Sequence, residues 1–311
     1  MTDRWLRIAL AWGCFGLPLL AQPLPKTDIA WDAEHLPESV QDSRLLALPW
    51  PNHALVAGRW QTTLDLGWQS ATAGLGDAAG LLAAASATRA RSATFGWGGL
   101  AFYDRLDISG SGTRDLLRPS FSRRIPLALP AFAAFTKPRG EVRHWGLGGD
   151  AVWQRQVAGR PWRRTLIAGA YFERLEVSGF RFDYEILSGP DTGARGGLDW
   201  SASYSFVTPF VGVGWTRDLG AAWTVSPRLI AAQPLPRRGL EASISGPGFQ
   251  IHDSGSGNAV GDGYLGAGLL FEHRPTGLGL DLGSSLYYAG TESVTHEGLT
   301  RAILVHVSWT H

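Results

Sequence analysis

The sequence predicts an all-β fold, a closed antiparallel up-and-down barrel that spans a membrane, and three patterns support this prediction. Apolar and polar residues alternate with a period of two in one segment after another. Tryptophans recur at both ends of an apolar face, as Trp60 and Trp68 do in "RWQTTLDLGWQ". Short gaps alternate with long gaps between the segments. Together these patterns favour a barrel of about ten strands, with eight or twelve as alternatives.

Residues 1–21 are predicted to be a secretory signal peptide. A basic start with two arginines precedes an apolar run, and Ala21 is a small residue suited to cleavage. The alternative is a lipoprotein signal that is cleaved before Cys14. This is the only cysteine, so cleavage after Ala21 would leave a mature chain without a disulfide.

Residues 22–58 contain five prolines and are predicted to be an irregular periplasmic leader. The barrel is predicted to occupy residues 59–311. Its ten candidate strands are 59–69, 80–90, 93–105, 143–154, 163–175, 205–217, 221–232, 263–273, 277–288 and 301–311. The alanine-rich segment 80–90 is the weakest candidate, because its sequence is equally compatible with a helix.

The gaps between the candidate strands alternate in length. The short gaps are at 91–92, 158–161, 218–221 and 274–276, and the long gaps are at about 71–79, 109–141, 178–204, 234–261 and 290–299. Short turns at one end and long loops at the other are typical of transmembrane β-barrels.

The paired tryptophans are predicted to lie at the two membrane–water interfaces. Eight residue intervals cover about 26 Å along a strand, and strand tilt reduces this to a vertical span of about 20 Å. Indole rings favour such interfaces because the ring lies in lipid while its N–H group reaches water. The predicted interface aromatics are Trp60, Trp68, Trp145, Trp153, Trp215, Trp223 and Trp309. In a soluble sandwich, the alternative fold, these rings would be buried core.

The chain resembles bacterial outer-membrane β-barrel proteins over residues 59–311. The last segment carries the most specific part of the resemblance, because Ile303, Val305 and Val307 alternate ahead of Trp309, close to the end of the chain. The resemblance implies a location in the outer membrane, contact with its lipid and lipopolysaccharide, and insertion by the barrel assembly machinery. It also implies that the long loops lie outside the cell.

If the apolar face of each strand contacts lipid, the opposite face points into the barrel. The predicted lumen residues are Asp65, Asp104, Asp150, Glu173, Arg228, Glu272 and Asp281. One interpretation is a polar core in which every acid has a partner, since an unpaired buried carboxylate is costly. The other is a hydrated acidic lumen that favours cations, as rings of charge do in channels.

No catalytic residue, metal site or cofactor is predicted. The "HVS" at His306 and Ser308 is similar to the pair used by barrel lipid A deacylases, but it lies at the short-turn end of the last strand. His252 and Asp253 are adjacent, so their side chains would point in opposite directions from a strand. Zinc-ligand spacing is absent from the sequence. An enzyme is therefore the less favoured class.

The gap at 109–141 is rich in basic residues. These are Arg114, Arg118, Arg123, Arg124, Lys137 and Arg139. Such a loop is suited to lipopolysaccharide phosphates or to an inward constriction, and a plainly solvated loop is the alternative. The net charge of the whole chain is only +1, so nucleic acid is not an expected partner.

Three functions remain open from the sequence. The first is a narrow pore or small-solute transporter with an acidic lumen. The second is a non-conducting barrel that acts through its loops or leader, as an adhesin or as a subunit of a secretion or envelope complex with a protein partner. The third is a barrel-embedded hydrolase.

Overall fold

The computed structural model describes residues 50, 53–73, 76–109, 113–115, 133–156, 158–186, 193, 195–235, 238–246, 249–255, 263–291 and 294–311. The predicted signal peptide, the leader up to residue 49, and Arg118, Arg123 and Arg124 of the basic gap lie outside the described residues. No helix in the described part of the chain is long and apolar enough to cross a membrane.

The described residues contain thirteen antiparallel strands, which form one sheet. They are β1 (Trp60–Ala73), β2 (Gly76–Ala90), β3 (Phe95–Ser109), β4 (Thr113–Asp115), β5 (Ala133–Gln156), β6 (Trp162–Ile186), β7 (Arg195–Leu219), β8 (Trp223–Ala232), β9 (Arg238–Gly246), β10 (Phe249–Gly255), β11 (Gly263–His273), β12 (Leu278–Thr291) and β13 (Val294–Thr310).

Ten of these strands close into a barrel, which confirms the predicted fold. The order around the ring is β1, β2, β3, β5, β6, β7, β8, β11, β12 and β13, and β13 pairs with β1 to complete it. Closure gives every strand a hydrogen-bonded neighbour on both sides, as a lipid environment requires. The other three strands lie outside the ring: β4 pairs with β5, β9 with β7, and β10 with β9.

The alanine-rich segment is strand β2, so the helical alternative for residues 80–90 is wrong. Its side chains alternate between the two faces of the wall. Leu82 and Ala84 are buried inside the barrel, whereas Leu81 is 58% exposed on the outside. Alanine has little preference for strands, so the hydrogen-bond ladders to β1 and β3 on either side determine the conformation here.

Strands β5, β6 and β7 are far longer than a membrane crossing requires. They have 24, 25 and 25 residues, so the predicted gaps at 109–141 and 178–204 are partly strand. Twenty-five residues at about 3.3 Å each, tilted by about 45°, rise roughly 55 Å, about twice the height of the apolar core of a bilayer. The β9–β10 hairpin extends this sheet by pairing with Asp199–Ser205 of β7. We call the protruding parts of β5, β6 and β7, together with β9 and β10, the outer wall.

The barrel has an apolar exterior and a packed interior. Outside, Leu66, Leu147 and Ile303 are 56%, 59% and 60% exposed, which is the surface expected against hydrocarbon. Inside, Phe102, Tyr171 and Phe210 stack at centroid distances of 5.2 and 5.8 Å, within a larger cluster of buried apolar side chains. These side chains point into the lumen and pack against one another there.

Candidate functional site

The predicted lumen residues lie on the inward-facing positions of their strands. Six of the seven are buried, with exposures of 0–3%, and only Asp150 is half-buried. The six are Asp65, Asp104, Glu173, Arg228, Glu272 and Asp281. Each has a polar partner, and the partners divide them into an outer cluster, a central ion pair and an inner cluster next to the short turns.

The outer cluster is centred on His144 of β5. Its Nδ1 atom lies 3.1 Å from Asp104 Oδ2 on β3, and its Nε2 atom lies 2.6 Å from Glu173 Oε2 on β6. The Thr208 hydroxyl of β7 donates a hydrogen bond to Glu173 Oε1. The cluster therefore ties four neighbouring strands together with groups that are 0–1% exposed.

The central ion pair joins Arg228 of β8 to Asp281 of β12, across the intervening strand β11. The guanidinium is 3% exposed and the carboxylate is 1% exposed. Gly268 of β11 makes room for the pair, because a Cβ atom at this position would lie 2.5 Å from the Arg228 Nε atom.

The inner cluster joins β1, β11 and β13 near the short turns. His306 Nδ1 lies 2.8 Å from Asp65 Oδ1, and Ser308 donates a 2.9 Å hydrogen bond to Glu272 Oε1. His53 lies beside both groups, with Nε2 2.6 Å from Ser308 Oγ and 2.8 Å from Glu272 Oε1. His53 lies in the predicted leader, and no pattern in the sequence marks it as a member of this cluster.

The end of the predicted leader reaches into the barrel with Trp50 and Leu55, which are 0% and 4% exposed, whereas residues 54 and 56–58 are exposed. We call its described part, Trp50 and residues 53–58, the inner segment. Trp50 is 0% exposed and packs against β7, where Cβ atoms at Gly212 and Gly214 would lie 2.8 and 2.6 Å from the indole ring. Gln154 of β5 binds the same segment, because its amide accepts from the Leu55 N–H group and donates to the His53 carbonyl.

The groups around Ser308 are not arranged as a catalytic triad. A triad needs the histidine to contact the serine through one ring nitrogen and the acid through the other. Here the same Nε2 atom of His53 faces both Ser308 and Glu272. The serine is 4% exposed, and its hydroxyl hydrogen is donated to the acid. The arrangement is suited to holding the inner segment in place.

A cleft of about 380 Å³ opens beside His53 at the short-turn end. Its walls include Val56, Arg163, Thr224 and Arg274. Among the described residues, no group of three histidine, cysteine or acidic side chains has the geometry to hold a metal ion.

The seven predicted interface tryptophans lie on the outward face of their strands, either exposed or half-buried. Trp60, Trp153, Trp215, Trp223 and Trp309 lie at the short-turn end, whereas Trp68 and Trp145 lie higher on the wall. Two further outward tryptophans, Trp97 and Trp162, lie at the short-turn end and were not among the predicted interface aromatics. Their segments do not alternate regularly enough to be noticed.

The predicted basic loop is described only in part. Arg114 lies in the short strand β4 and Lys137 lies in β5, so part of this gap is strand. Arg139 is exposed on β5, opposite Arg181 of β6. Similarly, His252 and Asp253 are consecutive residues of strand β10.

No family model matches the chain, and no curated protein matches it in sequence. Solved structures do match the fold. The Escherichia coli outer membrane protease OmpT is 7% identical and covers 83% of this chain and 99% of its own, with a TM-score of 0.49. The Ralstonia pickettii toluene transporter TbuX is 12% identical over 84% and 92%, with a TM-score of 0.37. The transport unit of the E. coli autotransporter AIDA-I is 9% identical over 93% and 100%, with a TM-score of 0.35.

The names of these three structures describe unlike activities, so the likeness is one of fold alone. The closed ring and its apolar exterior, described above, are the features that a lipid environment demands. The chain therefore has the fold of a closed antiparallel β-barrel, with the apolar exterior that is typical of barrels in outer membranes.

Proposed function

We propose that this protein is a non-conducting outer-membrane barrel that acts through its outer wall. The observation that carries the proposal is the packed interior of the described barrel. Apolar side chains form one buried cluster inside the barrel, and Trp50 and Leu55 of the inner segment belong to it. A conducting pore needs a continuous hydrated path, and we expect this cluster to interrupt such a path.

The inward acids give less support to a cation-selective pore. A carboxylate attracts a passing cation most strongly when it is hydrated and uncompensated. Asp65, Asp104 and Glu173 instead contact histidines, and Asp281 contacts Arg228. These contacts are better suited to cross-linking the wall than to conduction.

The outer wall supports a role at the cell surface. Strands β5, β6 and β7 continue to pair well beyond the interface tryptophans, with register shifts near Arg139 and after Val177, and the β9–β10 hairpin widens the sheet. A sheet that rises tens of ångströms above the bilayer offers a large surface for contact with another macromolecule. Its partner would be a component of the envelope or of a contacted surface.

The proposal predicts that the purified full-length protein is electrically silent in planar lipid bilayers. The measurement should include a general porin as a positive control and confirm insertion by heat-modifiable migration on a denaturing gel. Stable cation-selective current steps from the wild-type protein would overturn the sealed barrel and favour the pore.

The role of the outer wall is tested separately by replacing residues 238–255 with a short glycine–serine linker. The barrel should still insert and show heat-modifiable migration, because its ten strands are untouched. Binding of intact cells to surfaces or to other cells is expected to fall. Unchanged binding would exclude the β9–β10 hairpin as the acting surface.

A further inference from the structure

The short-turn end of the barrel carries an excess of exposed arginines. Four of them, Arg89, Arg155, Arg164 and Arg217, lie on the outward-facing positions of β2, β5, β6 and β7. Three more are exposed at the turns and strand ends nearby: Arg59, Arg91 and Arg160. In the described residues of this end, Asp218 is the one exposed side-chain carboxylate, and its partner is Arg274.

Three of the four outward arginines, Arg89, Arg164 and Arg217, lie beside a tryptophan of the same end. Arg89 lies between Trp60 and Trp97 in the strand register, and its Cζ atom is 5.9 Å from the centre of the Trp60 ring. Similarly, Arg217 lies opposite Trp162, with its Cζ atom 5.7 Å from that ring.

The other two arginines, Arg155 and Arg164, are neighbours of each other. Arg164 lies between Arg155 on one side and Trp215 on the other. Because the tryptophans lie at the membrane–water interface, the four guanidiniums lie at the height of the lipid headgroups. We call the four arginines and these tryptophans the arginine collar.

Three outward arginines at the opposite end have carboxylate partners. Arg105 and Arg143 both bind Glu141, and Arg174 binds Glu176 at 2.7 Å. None of the four collar arginines has such a carboxylate partner among the described residues. The collar therefore presents cationic groups whose donors are available to a ligand, whereas Arg105, Arg143 and Arg174 at the outer end are held in ion pairs.

We propose that the arginine collar binds the anionic phospholipids of the inner leaflet, with phosphatidylglycerol-type headgroups as its ligands. A guanidinium donates two parallel hydrogen bonds to a phosphate, and four guanidiniums spread over β2, β5, β6 and β7 provide several such sites. The arginines share the lipid-facing positions of the wall with apolar neighbours such as Leu166 and Trp153. This placement favours membrane lipid over a periplasmic macromolecule, which would meet the turns first.

The test measures lipid retention by the delipidated full-length protein in a neutral detergent. Native mass spectrometry should count the bound lipids after addition of phosphatidylglycerol or phosphatidylcholine. The wild-type protein is expected to retain phosphatidylglycerol preferentially. The quadruple variant R89Q/R155Q/R164Q/R217Q should lose the preference, at roughly fivefold weaker binding for each arginine removed.

The matched control is R105Q/R143Q/R174Q, which removes three outward arginines from the opposite end and should keep the preference. If the quadruple variant does not fold, the single variants Arg89→Gln and Arg164→Gln each retain three collar arginines and should bind roughly fivefold more weakly. Salt at 1 M should reduce retention of phosphatidylglycerol by the wild-type protein.

Equal retention of the two lipids by the wild-type protein would overturn the proposal. Unchanged preference in the folded quadruple variant, or an equal loss in the control variant, would also overturn it. If the wild-type protein retained the two lipids equally, an acidic periplasmic protein would be the alternative ligand of the collar.

Discussion

Replacing Asp281 with leucine is expected to lower the free energy of unfolding by about 3–5 kcal/mol. The substitution leaves the Arg228 guanidinium with its charge but without its partner, inside a wall where it is only 3% exposed. Arginine does not lose its proton under ordinary conditions, so the charge cannot be relieved. Urea titration in detergent micelles, followed by tryptophan fluorescence, measures the change.

Two matched variants separate the missing partner from the lost volume. Arg228→Leu leaves a carboxyl group that can take up a proton, so it should cost less than Asp281→Leu. The double variant Arg228→Leu/Asp281→Leu removes both charges and should lie closer to the wild type than Asp281→Leu does. If all three variants were equally unstable, packing volume rather than charge would govern this site.

Replacing Trp50 with alanine is expected to cost about 3–5 kcal/mol and to loosen the inner segment. The indole is fully buried against Gly212 and Gly214, so its removal leaves a cavity that the rigid wall cannot close. Urea titration measures the stability. Planar bilayer recordings test whether the variant, which lacks the Trp50 indole inside the barrel, shows current steps.

A compensating substitution provides the control. Gly214→Leu adds a side chain where the indole packs, since even a Cβ atom there would lie 2.6 Å from the ring. This variant alone should displace Trp50 and destabilise the protein. Combined with Trp50→Ala, the new leucine fills part of the cavity and should recover stability. Additive losses in the double variant would contradict the assigned packing of Trp50.

Period-two alternation was enough to predict the ring of ten strands and the two faces of its wall. The alternation predicts that Asp65 and Leu66 lie on opposite faces of the wall, because successive side chains of a strand point in opposite directions. It does not predict partners. Asp65 and His306 are 241 positions apart, and they meet only because the ring closes in one register.

The inner segment was missed for a different reason. Five prolines made residues 22–58 look like a linker, and Trp50 and Leu55 belong to no periodic pattern. A signal was nevertheless present in β7, where Gly212 and Gly214 occupy consecutive inward positions. Two inward glycines leave a gap in a close-packed interior, and an interior gap calls for a large side chain from elsewhere. The outer wall was missed because only the bilayer crossing was used to estimate strand length.

The pairing of β1 with β13 has a consequence for how the molecule is made. Twelve residue pairs, from Gln61 with Thr310 to Thr72 with Leu299, hold this seam together. Strand β1 is synthesised early, whereas its partner β13 is synthesised only after nearly all of the rest of the chain. Contacts this distant in sequence slow folding. Loss of β13 would leave β1 and β12 each with an open edge, which a lipid environment does not tolerate.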